Sequence, residues 1–264
     1  MGNLSRRWRR AVAALKEIEL RIALMRTEVI QVEAAAVAAA LDEICAAAEQ
    51  ADPAAREVLG AVMPVLADPA LGARIEELRS IAAAEALLPL GRLLRRRRRS
   101  DDGHAPGSPS VDARDERHLA TATSGRVLTL GERRALARRP SRAAFDALMR
   151  DPHPLVVRNL LGNPRVTEDD VVRMAARRPI FPEVILEIVR HPRWSQRMRV
   201  RMAVVQNPGT PPELAVPLVR LLIRPELIQV ASAADVPAVV RAAAAELLER
   251  RPPVPHKAGE APPQ

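Results

Sequence analysis

The strongest pattern of apolar and polar positions lies at the start of the chain. Residues 4 to about 51 contain no Pro or Gly, and apolar side chains recur at sevens: Trp8, Leu15, Ile22, Val29 and Ala36. A second series, Ala11, Ile18, Met25, Val32 and Ala39, is offset by three. This spacing predicts one long helix carrying a heptad seam. Leu20, Leu24 and Ile30 widen the stripe beyond a two-stranded seam. The favoured expectation is therefore a long helix in a hairpin or small bundle that folds back on itself, and the alternative is an intermolecular coiled coil that makes a homodimer. Asp52-Pro53 and Asp68-Pro69 each put a capping carboxylate before a proline suited to the first helical turn, so two further helices are expected there. The last of these has Leu71, Ile75, Leu78 and Ala82 on one face and runs toward Pro89 and the basic run Arg95–Arg99.

Residues 129 to 251 carry a different pattern. Prolines stand at 140, 152, 164, 179, 192, 208, 225 and 237, between apolar segments two or three helical turns long. Proline cannot continue a helix but readily begins one, so this predicts short helices joined by sharp corners. Thr129-Leu-Gly-Glu132, Thr167-Glu-Asp-Asp170 and Thr210-Pro-Pro-Glu213 look like helix-opening capping boxes. The helix from Asp170 would bury Val171, Met174 and Ala175. The segment 183–190 would bury Val184, Ile185, Ile188 and Val189, and 196–206 would bury Met198, Met202 and Val205. None of these faces can be hidden by its own helix, so the helices are expected to stack.

Two corners read alike: Asn163-Pro164-Arg-Val-Thr167 and Asn207-Pro208-Gly-Thr210, with Asp151-Pro152 and His191-Pro192 as degenerate copies. Over about 125 residues this resembles the leucine-rich repeat variant and the wider HEAT-like α-solenoid class. That resemblance implies a curved, non-catalytic binding surface and supplies no active-site residues. The 12-to-17-residue spacing of the corners is more irregular than in a regular array.

Composition sharpens this picture. Aromatic residues make up 2% of the chain and Tyr is absent, while Ala, Leu and Val dominate, which favours close-packed helices over a sheet. The expected class is all-α: an N-terminal helical segment over 1–99, a disordered linker over 100–128, the helical-repeat domain over 129–252, and a disordered tail over 253–264. The Gly, Pro and Ser of the linker argue against a folded core there. The net charge is +9, carried almost wholly by arginine, and residues 129–252 hold 21 basic and 13 acidic side chains. A GC-rich bacterial coding bias would account for part of the arginine content. The excess in the second half would still attract an acidic partner.

Chemical motifs are sparse. The five histidines are scattered with no HExxH spacing, and GxGxxG, GxxxxGK[ST] and GxSxG are absent, so neither metal, cofactor nor enzyme activity is expected. Cys45, the lone cysteine, reads as a packing residue. No apolar run reaches transmembrane length, and Lys16, Glu17 and Glu19 interrupt any secretory core, so the expected location is cytoplasmic. The candidate partner-binding residues are Arg173, Arg177, Arg190, Arg193, Trp194, Arg197 and Arg201. They would form a basic face that grips an unknown protein partner, with Trp194 either packing on that partner or covering a seam between helices. The alternative is a nucleic-acid-associated protein that uses the same arginines on phosphates.

Overall fold

The computed structural model describes residues 3–95, 120, 126–139 and 141–251. Among them every regular element is helical, with sixteen α-helices and one 3-10 turn. The linker over 100–128 falls mostly outside the described residues, as do Arg96–Arg99 and the tail 253–264. Ala120 is described and buried, and its carbonyl accepts the Leu128 amide at 2.9 Å.

The first half is built from α1 (Asn3–Ala14), α2 (Ile18–Gln31), α3 (Ala34–Glu49), α4 (Pro53–Leu66), the 3-10 turn Pro69–Leu71, α5 (Gly72–Ala84) and α6 (Leu88–Leu93). The single long helix expected from residue 4 to 51 is thus broken twice. Glu17 and Val32 take extended backbone and Glu33 leaves the helical region beside them, with no Pro or Gly nearby. The reason lies in packing. A continuous helix of that length would run about 70 Å and leave its apolar stripe without a partner. Broken, it lets α1, α2 and α3 all pack on α4, whose Val58, Leu59 and Val62 are fully buried. The heptad seam is used up in this folding, since Trp8, Met25 and Val29 are buried within the chain.

Arginines take the carbonyls that the two breaks expose. Arg21 Nε donates to the Leu15 carbonyl at 2.6 Å, and Arg74 donates to the carbonyls of Val29, at 2.9 Å, and Val32. Both sequence-predicted caps after α3 are formed: Asp52 accepts the Ala55 amide at 2.7 Å and Asp68 accepts the Ala70 amide at 3.0 Å.

The second half contains α7 (Leu130–Arg138), α8 (Arg142–Leu148), α9 (Pro154–Leu161), α10 (Glu168–Ala175), α11 (Pro182–Arg190), α12 (Pro192–Ser195), α13 (Met198–Gln206), α14 (Pro212–Val219), α15 (Arg224–Ser232) and α16 (Ala238–Arg250). The described corner prolines all lie at helix starts or in the turns between helices, as the spacing predicts. Helices α7, α9 and α11 pack in succession, as do α10, α13 and α15, while α14 and α15 close on α16. Thr129 and Thr167 form the expected capping boxes with Glu132 and Asp170. Thr210 does not cap: Pro211 occupies the cap of α14, and the Thr210 hydroxyl donates to the Val204 carbonyl at 2.6 Å.

The two Asn-Pro corners are chemically equivalent. The Asn163 side-chain amide donates to the carbonyls of Ala137 and Arg139 at 2.8 and 2.9 Å, and its oxygen accepts the Arg165 amide at 3.0 Å. Asn207 repeats the arrangement with Ala175 and Arg177 at 2.6 and 2.7 Å and the Gly209 amide at 2.9 Å. Each asparagine thus ties the end of an earlier helix to the next corner. Asp151, at a degenerate corner, keeps the bond to the second following amide (His153, 2.9 Å) but cannot donate to carbonyls, and pairs with buried Arg133 at 2.5 Å instead.

The halves pack against each other. Helices α11 and α12 lie on α4, and α12 also touches α2. Gln196 donates to the Gly60 carbonyl at 2.8 Å, and a Cβ at Gly60 would stand 3.0 Å from the Gln196 side-chain oxygen, which would have to shift. Arg56 donates to the Leu221 carbonyl at 2.5 Å, and Arg190 pairs with Asp68 at 3.1 Å. No single described helix is long and apolar enough to cross a membrane.

Replacing Asn207 with Ala leaves two buried carbonyls unmatched and should cost about 2–4 kcal/mol in urea denaturation. Asn207→Asp should cost more, because a carboxylate oxygen would face those same carbonyls. Equal stability of wild type and both variants would show that the corner bonds contribute nothing.

Candidate functional site

The structure scatters the seven arginine and tryptophan positions read from the sequence. Trp194 is 1% exposed, and its indole N–H donates to the Leu161 carbonyl at 2.8 Å, so it covers a seam and meets no external ligand. Exposed Arg193 stacks over its ring at 4.2 Å. Arg190 is held between Asp68 and Glu187, at 3.1 and 3.5 Å, and is turned toward the first half of the chain. Arg201 is also turned inward, toward Glu226 and Arg56; its Nε is buried without a partner, and burial lowers its pKa. Arg177 donates to the Met149 carbonyl at 3.2 Å, and burial lowers its pKa too. Arg173 is exposed but paired with Asp170. Of the seven, Arg173, Arg193 and Arg197 are exposed. The positions do not make one continuous basic face, because α2 and α4 cover part of the surface that the sequence presents as open.

A groove lies instead between α10, α13 and α15, with a volume of about 360 Å³. Val172, Ala176, Met198, Met202 and Ala203 supply its apolar wall, and Arg178, Arg199, Gln206, Asn207, Gln229 and the carboxylate Glu226 its polar lining. Helix α13 departs from expectation in part. Val205 is buried as expected, but Val200 and Val204 fill the core beside it, while Met198 is 47% exposed and Met202 half-buried in the groove. The valines at i and i+4 were the available signal, since their compact branched side chains fill a close helix contact better than flexible Met.

The rim charges are held loosely. Arg199 pairs with Asp169 at 2.6 Å and Arg178 with Asp235 at 2.7 Å, all four side chains being more than half exposed. Exposed pairs of this kind contribute only about 0–1 kcal/mol and can exchange partners cheaply. The groove therefore combines an adaptable thioether surface with guanidiniums that can turn toward an incoming carboxylate.

Groups suited to covalent or metal chemistry are not gathered here. Burial pushes the Cys45 thiol up to about 12, so it stays protonated and packs as a small apolar group. Among the described residues no set of three His, Cys, Asp or Glu side chains is placed to hold a metal ion. Comparison with protein-family models, curated proteins and solved structures finds no match to this chain.

His191 sits where the halves meet, its ring tilted against Trp194 at 6.1 Å and its Nδ1 buried without a partner. Burial, reinforced by Arg193 and opposed by Glu19 and Glu187, pushes its pKa down from 6.5 to about 4. The unfolded chain then takes up a proton below pH 6.5 that the folded chain resists until about pH 4, so stability should fall as pH drops through that window. Asp170, whose carboxylate Arg142 holds well below the usual range, loses its contribution only at lower pH. His191→Gln should flatten the 6.5-to-4 part of a stability–pH profile measured by denaturant midpoints. A slope unchanged in the variant would assign that loss to other groups.

Proposed function

We propose that this chain is a non-enzymatic interaction scaffold. Its second half is read as a short α-solenoid of the HEAT-like or leucine-rich-repeat-variant kind, which holds an acidic, partly apolar segment of a partner protein in the groove of α10, α13 and α15. The repeat reading rests on the identical bonding of Asn163 and Asn207, each joining one corner to the end of an earlier helix. The groove carries the binding reading: an exposed methionine beside arginines whose ion pairs lie at the surface. The excess of positive charge in residues 129–252 favours an acidic occupant.

The nucleic-acid alternative finds less support. A phosphate backbone is gripped by a row of free cations, and here Arg190 is paired with Asp68 while Arg177 and Arg201 are turned into the chain.

The test places a photo-crosslinking amino acid at Met198 of the full chain, in cells that normally make it. Crosslinks should join a protein at a segment rich in Asp and Glu and survive nuclease. They should drop at least about tenfold when Arg178 and Arg199 are both changed to Glu. Nuclease-sensitive products would favour the nucleic-acid reading, and products indifferent to the charge reversal would remove the groove from the mechanism.

A further inference from the structure

A second cavity, of about 230 Å³, opens where α6 from the first half meets α14 and α16 from the second. It exceeds the ~150 Å³ that suffices for a benzene-sized guest in a protein core. Its lining mixes two chemistries: Val216, Val239, Ala243 and Leu247 are apolar, while Arg92, Arg95, Arg220 and Arg250 stand with Glu213 and Glu246 as the charged members.

Arg220 is the unusual member. It is 4% exposed, yet its side chain makes no hydrogen bond among the described residues, and its Nε is buried without a partner. Its nearest carboxylate, buried Glu49, lies 3.5 Å away and is already committed. Arg92 binds Glu49 through two N–H groups at 3.1 and 2.6 Å, and Arg250 approaches it at 3.4 Å while also pairing with Glu246 at 2.5 Å. Adjacent Arg251 donates to the carbonyls of Ala48, Glu49, Arg220 and Leu222 and to no carboxylate. Around the cavity, Arg92, Arg95, Arg220 and Arg250 therefore face Glu49, Glu213 and Glu246, one positive charge in excess.

A buried guanidinium with unused donors is costly unless something supplies acceptors. A carboxylate fits its planar fork and would balance the single excess charge. The apolar side would shelter a short hydrocarbon body, which inorganic phosphate lacks. We propose that this cavity is a binding site for a small monocarboxylate with an apolar chain or ring, anchored by Arg220 and seated against Val216, Val239 and Leu247. The site spans both halves of the chain, so its occupant would tie them together. It is separate from the α10/α13/α15 groove and does not depend on the function proposed for that groove.

Isothermal titration of the full chain with octanoate, octanol, octylamine and inorganic phosphate tests the assignment. Octanoate should bind at one site with a dissociation constant below about 1 mM, at least about tenfold tighter than each of the other three. Arg220→Met should weaken octanoate at least about tenfold. Ala243→Phe fills the apolar side without altering a charge and should do the same, which keeps the test decisive if the arginine variant fails to fold. No octanoate binding, equal binding of octanol or phosphate, or unchanged affinity in a folded Ala243→Phe protein would each overturn the proposal.

Discussion

The carbonyl groups that a helix leaves bare at its C-terminal end set the terms for this structure. A fold made of many short helices multiplies such ends, and each buried carbonyl without a donor costs about 1–3 kcal/mol. Glycine caps are scarce in this chain. Side-chain donors from distant elements take their place: Arg21 and Arg74 at the breaks in the first half, Asn163 and Asn207 at the corners, and Arg56, Arg224 and Arg251 around the seam. Guanidinium suits this work because its donors spread in a plane and can reach several carbonyls at once, as Arg251 does with four. The arginine content is therefore largely an architectural resource.

That use of arginine reshapes the functional picture. A charge excess counted along the chain suggests a broad basic face, but the folded protein commits Arg173, Arg177 and Arg190 to its own carbonyls and carboxylates and turns Arg201 inward. What stays available is local. At the groove, the arginines are held by exposed partners that release them at little cost. At the α6/α14/α16 cavity, one arginine is buried beside a carboxylate already committed to others. These environments imply different ligands, since the first can adapt to a flexible acidic segment and the second offers a fixed fork beside an apolar wall.

Much of the local structure was readable in advance. The prolines at 152, 164, 179, 192, 208, 225 and 237 mark corners because the missing N–H and fixed φ act over a few residues. The caps at Asp52, Thr129 and Thr167 follow from equally short-range chemistry. Thr210 has the same signature as Thr167 and fails it, because Pro211 takes the cap and the hydroxyl finds Val204 instead. The breaks at Glu17 and at Val32–Glu33 carried no local signal; helix propensity favoured continuing, and the gain from wrapping three segments around α4 outweighed it.

The chain's own pattern thus settled the all-helical class, the positions of the corners in the second half and the matching roles of Asn163 and Asn207, all governed by contacts between near neighbours or by motifs that repeat. Folding in three dimensions settled which face of α13 turns inward, where Trp194 hides, which arginines remain free, and that the two halves close on each other around Glu49. Some of those outcomes depend on partners more than 100 residues away, as with Arg190 and Asp68 or Arg251 and Glu49, and others on helices one or two corners back, as with Trp194 and Leu161. Periodicity records that a side chain must be buried or paired, but carries no information about which distant group will meet it.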